Sequence, residues 1–131
     1  MSKIETILVE VEITKERIGD MIVGALEGGS NYWYWIPENE AKKIYAVTKS
    51  GAFSERILEY VWGNRRVVAI HDAEDPDEKL GEFSFANIKK GLKLMAKEQS
   101  EHFGDMQSES DDATTADVLF QFITLGELVY G

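Results

Sequence analysis

The chain reads as an α+β domain, with an antiparallel sheet of about three to four strands packed with three helices. Three observations carry this. Segments 4–13 and 65–72 have the β-branched content of strands. Three other segments place apolar residues at helical spacing. Short Gly- and Pro-marked turns separate them. The 131 residues fit one domain, 1–131, and 44 % hydrophobic residues suffice for a core.

Taken in order, residues 4–13 alternate, with Ile7, Val9, Val11 and Ile13 on one side. This predicts a strand with that side on the core and with Ile4 and Leu8 partly covered behind it. Thr14 is placed to cap a helix over 15–27, whose stripe is Ile18, Met21, Ile22, Ala25 and Leu26. Gly28-Gly29 ends it. Four consecutive aromatics follow, Tyr32-Trp33-Tyr34-Trp35. Residues 36–40 read as a turn around Pro37, and 43–47 as a short strand. Ser54 is expected to cap a short helix through Ile57, Leu58 and Val61. Residues 65–72 have an apolar middle and read as the central strand. A polar turn, 72–78, leads to a returning strand over 79–84. Ser84 then caps a helix with Ile88, Leu92 and Met95 inside and Lys89, Lys90, Lys93 and Lys97 outside. Residues 98–113 read as an acidic loop pinned by Phe103 and Met106. Thr114 to Asp117 resembles a capping box with Asp for Glu. It opens a helix apolar nearly all round, to be buried against the domain or a second subunit, and a homo-oligomer is expected.

Charge is unevenly placed. Of the net −10, −8 lies in residues 98–131, which hold eight acids and no Lys or Arg. Such a field disfavours nucleic acid and anionic membrane as direct ligands and favours a basic partner; it also simply keeps a protein soluble. Glu101, Asp105, Glu109, Asp111 and Asp112 are the candidate partner-binding residues. The absence of cysteine removes disulfides and thiolate metal sites and suits a reducing compartment, so a cytoplasmic location is expected. No signal peptide or apolar run of membrane-spanning length is visible.

The aromatic run admits two readings. If extended, it sets Tyr32 and Tyr34 opposite Trp33 and Trp35, with one pair in the core. Alternatively Asn31, Trp33 and Trp35, with Arg65 or Arg66, stack on and clamp a nucleotide. The Arg pair reads equally as strand-entry charges that meet the acidic C-terminal region. His71 and His102 match no metal motif, and the acidic turn 72–78 lacks the glycine and terminal Glu of a calcium loop. Metal and cofactor are therefore expected to be none. No nucleophile motif or phosphate-cradling loop appears, and a non-enzymatic protein is expected.

Several short blocks together resemble a family of small phage and prophage proteins. They are Glu16-Arg17-Ile18, the run from Ala25 through Gly28-Gly29-Ser30-Asn31 to Tyr34, Ile88-Lys89-Lys90-Gly91-Leu92, His102-Phe103, Asp111-Asp112-Ala113 and the ending Gly126-Glu127-Leu128-Val129-Tyr130-Gly131. The resemblance spans nearly the whole chain except about 36–66. It implies context rather than chemistry: a phage accessory protein made in a bacterial cytoplasm. In that context the expected function is an acidic, anti-CRISPR-like inhibitor, one that blocks the nucleic-acid groove of a host or anti-phage defence factor. The alternatives are an oligomeric sponge for a nucleotide signal and a phage structural or assembly protein.

Overall fold

The computed structural model describes residues 4–109 and 112–131. The α+β class holds, with a three-stranded antiparallel sheet and, among the described residues, six α-helices rather than three. The helices are α1 (Lys15–Gly24), α2 (Glu38–Val47), α3 (Phe53–Leu58), α4 (Phe85–Glu98), α5 (Ser100–Gln107) and α6 (Ala113–Leu125). The strands are β1 (Tyr34–Trp35), β2 (Val68–Asp72) and β3 (Lys79–Phe83), in the spatial order β1-β2-β3.

The predicted centre of the sheet is correct. β2 lies between its two neighbours, Val68 and Ile70 are fully buried, and β3 returns antiparallel with Val68 opposite Phe83. Thr14 caps α1 by accepting from Arg17 N at 3.1 Å, and Ser84 caps α4 through Asn87 N at 3.2 Å. Two helix ends, those of α1 and α3, are wound one residue wider as they run into glycine. Ala25–Gly29 and Glu59–Gly63 are π-helical turns, closed by Ser30 N on Ala25 O and Asn64 N on Glu59 O. Such turns re-aim the chain within a helix. The first delivers the aromatic block towards α6.

α6 is the core of the molecule. Residues 115–124 are all buried, and α1, α4, α5 and β3 pack around it. Its apolar girth is therefore satisfied inside one chain. Three glycines let neighbouring backbone approach it. A Cβ on Gly29 would lie 2.6 Å from Ala113 O, one on Gly81 2.0 Å from Thr124 O, and one on Gly91 2.8 Å from Ile123 N.

Several expectations fail. Residues 4–13 join no strand among those described, and Ile7 and Val9 are 77 % and 76 % exposed. The Ala69 N–H of β2 is taken by Glu40 Oε1 at 3.0 Å. Residues 43–47 are helical: Pro37 sets up the turn at which α2 begins, and Glu38 and Glu40 favour its positive end. Residues 98–113 contain α5 rather than only loop, although Met106 does pin it, fully buried. The cap of α6 is Asp112, which accepts from Thr115 N at 3.0 Å, so Thr114 and Asp117 form no capping box. Likewise Ser54 lies inside α3 and donates instead to Glu27 Oε2 at 3.0 Å.

Candidate functional site

Asp117 is the polar centre of the fold. It lies one turn into α6, with only 7 % of its surface exposed. A carboxylate so placed needs donors from every side. Ser30 Oγ and Trp33 Nε1 donate to its Oδ1 at 2.7 and 2.8 Å; the Tyr32 hydroxyl and Gln121 Nε2 donate to its Oδ2 at 2.6 and 3.1 Å. Gln121 extends the network to the chain's end. Its Oε1 accepts from Val129 N and Tyr130 N, and its Nε2 also donates to Tyr130 O. Tyr130 then stacks on Trp33, with ring centroids 5.3 Å apart and planes within 10°. Burial first, and then the hydrogen bond to Asp117, push the Tyr32 phenol up to about 12. Burial and the nearby Glu27 push Tyr34 to about 12 as well.

The aromatic run is therefore divided differently from a regular strand. Residues 31–33 form a turn, and only Tyr34 and Trp35 pair with β2, opposite Asp72 and His71. Trp33 goes into the core, while Tyr32 and Trp35 are half-exposed. Asn31 is exposed. Arg65 has φ 54° and lays its guanidinium 3.5 Å from the centroid of Phe85, and Arg66 lies over Tyr60 at 5.9 Å. Within one chain the five residues do not form a clamp. Trp33 is occupied by Asp117 and Tyr130, and both arginines stack on aromatic rings.

The acidic candidates fare otherwise. Glu101 and Asp105 are one turn apart on α5, and Glu109 follows at the same spacing just past its end. Glu101, Glu109 and Glu98 are exposed and Asp105 is half-buried. Met106 and Phe103 hold this ridge against the core. Asp112 belongs to a different task. Its carboxylate caps α6, and the Thr115 N–H foremost holds its pKa below the ordinary value. Asp111 lies outside the described residues.

Two features escaped the sequence reading. Glu109 meets Thr14, Glu16, Arg17 and Asp20 around a small depression of about 190 Å³, so the acidic ridge continues onto α1. Arg17 Nε also donates to Met106 O at 3.2 Å, tying α1 to α5. No local pattern could have joined residues about 90 positions apart. Second, α1 and α3 leave a groove of about 550 Å³, with Val23, Leu58 and Trp62 inside and Glu16, Asp20, Glu55 and Glu59 around it. Lys15 sits over the Trp62 ring at 5.4 Å.

The histidines have structural neighbours. His71 Nδ1 is 2.7 Å from Pro76 O, within the β2–β3 turn, and His102 Nδ1 is 3.3 Å from Thr115 Oγ1. No described helix is long and apolar enough to cross a membrane. No protein-family model matches the chain, and neither curated proteins nor solved structures yield a match.

Proposed function

We propose that this protein is a non-enzymatic phage accessory protein. It acts in the bacterial cytoplasm by docking its acidic face on a basic, nucleic-acid-binding surface of a host or anti-phage defence factor. The observation that carries this reading is the mounting of Glu101 and Asp105 on α5, with Glu109 just past its end. Packed helix presents these charges at fixed spacing, continued by Glu16 and Asp20 of α1. Fixed charges lose less entropy on binding than a flexible acidic loop would. Charges of this sign steer association with a basic surface electrostatically. The phage context comes from the resemblance of the sequence blocks.

The test is charge reversal on the ridge, leaving the cap residue Asp112 untouched. A Glu98→Lys, Glu101→Lys, Asp105→Lys variant changes net charge by six units at solvent-facing or half-buried positions. It should remain folded by circular dichroism and lose both the antagonism and the partner that co-purifies with the parent protein. Retention of the same partner by the folded variant would remove the ridge as the docking surface.

A further inference from the structure

The segment from Ile4 to Ile13 combines two properties that rarely coexist. Its sequence is that of a strand, alternating Glu5, Ile7, Val9, Val11, Ile13 against Ile4, Thr6, Leu8, Glu10, Glu12. Yet it joins no sheet among the described residues, and Ile4 and Leu8 are each 93 % exposed. Five exposed aliphatic side chains in eight residues present on the order of 600 Å² of apolar surface, more than single scattered surface residues explain. The arm leads directly into Thr14 and α1, so its root is fixed while its length is open to a partner.

We propose that this partner is a second copy of the chain, the two arms pairing antiparallel across a two-fold axis as a ribbon centred on Leu8. Charge supports self-pairing in this register. With Leu8 opposite Leu8, Ile7 faces Val9, Glu5 faces Val11, Glu10 faces Thr6 and Glu12 faces Ile4. Apolar faces coincide, and no acid lies directly or diagonally opposite another. A shift by one residue mixes the two faces and sets Glu5 against Glu10 or Glu12. A shift of the centre to Val9 brings the two Glu10 side chains onto a diagonal. Two arms together hold about 1,200 Å² of apolar surface, part of which pairing covers and part of which needs backing. A two-stranded ribbon alone is marginal. The apolar groove of α1 and α3, lined by Val23, Leu58 and Trp62, opens beside the root of each arm at Lys15 and offers backing for the ribbon. This inference is independent of the acidic ridge, which is on other residues.

The test uses sedimentation or light scattering of the full chain, with arm variants. The parent should have twice the mass of one chain at tens of micromolar and dissociate on dilution, and Leu8→Glu with Val9→Glu should be a monomer with an unchanged circular dichroism spectrum. The arm lies outside the core, so this double variant retains the fold. The chain has no cysteine, which makes cross-linking unambiguous. Oxidised Leu8→Cys should form a covalent dimer, because directly opposed Cα atoms lie about 4.5–5.5 Å apart, within disulfide reach. Glu12→Cys should not, its two copies being eight positions apart along the ribbon. A parent protein that stays monomeric up to roughly 100 μM overturns the proposal. So does a dimer that survives Leu8→Glu with Val9→Glu, or equal cross-linking at positions 8 and 12.

Discussion

Replacing Asp117 by Ala tests the role of the buried carboxylate. The substitution removes the acceptor shared by Ser30 Oγ and Trp33 Nε1, both on fully or nearly fully buried residues, together with one acceptor each of Tyr32 and Gln121. Gln121 keeps its bond to Tyr130 O, and the half-exposed Tyr32 can turn to water. The cost thus rests mainly on two stranded donors, each about 1–3 kcal/mol. Loss of a charged acceptor in a connected network places the total at about 3–5 kcal/mol. That is a large share of the 5–15 kcal/mol by which domains are stable. For a chain of this length it lowers Tm by roughly 10–20 °C. Asp117→Asn retains one carbonyl acceptor and should cost about half as much. Urea unfolding with Trp fluorescence measures both, and a double-mutant cycle with Trp33→Phe should give a coupling of at least about 1 kcal/mol. An Asp117→Ala protein within about 1 kcal/mol of the parent would refute the reasoning.

Other expected outcomes follow from the same structure. Gly91→Ala should destabilise by about 1–3 kcal/mol in urea unfolding, because its Cβ would sit 2.8 Å from the backbone of α6, whereas Gly104→Ala, with open space around it, should stabilise α5 by about 0.5–1 kcal/mol. Tyr32 and Tyr34 have folded pKa values of about 12, raised from 10.0. A raised acid favours the neutral folded form, so the stability they contribute is full below pH 10 and is lost as pH rises from 10 to 12. Absorbance at 295 nm should show a late ionisation near pH 12 that Tyr32→Phe diminishes. The Asp112 cap has the opposite sign. Its pKa is lowered, so its contribution is lost as pH falls through the folded value, and Asp112→Asn should flatten the acid limb of the stability curve.

Residues from several separate sequence blocks meet α6 or the residues that follow it. Gly29 abuts Ala113, Tyr32 and Trp33 bind Asp117, Gly91 abuts Ile123, His102 meets Thr115, and Tyr130 is held by Gln121. Their shared role here is the seating of one helix. This explains why an aromatic run that looked like a ligand platform is divided, with Trp33 inside and Trp35 at the surface.

Where local pattern and tertiary demand agreed, the chain was legible. The stripe of α1, the caps Thr14 and Ser84, and the β2–β3 hairpin each follow from residues within a few positions of one another. Legibility failed where a distant group decided the outcome. The alternation of residues 4–13 has the composition of a strand, yet the segment joins no sheet among the described residues. Lys43 to Val47 has strand-like residues, yet Pro37 and the acids behind it set a helix first. The Asp117 network could not be read, because three of its four donors lie 84–87 positions upstream. The ridge was visible only as a charge count. Its geometry required α5, which the polar composition of 98–113 concealed.

The measurement that bears most directly on the proposed function is capture of a basic defence factor by the tagged protein, followed by its rate of association at about 50 and 500 mM salt for the parent and the triple ridge variant. The account predicts that the parent's rate falls at least about tenfold as salt rises, and that the ridge variant associates slowly at both. Equal rates for parent and variant, unaffected by salt, would contradict it.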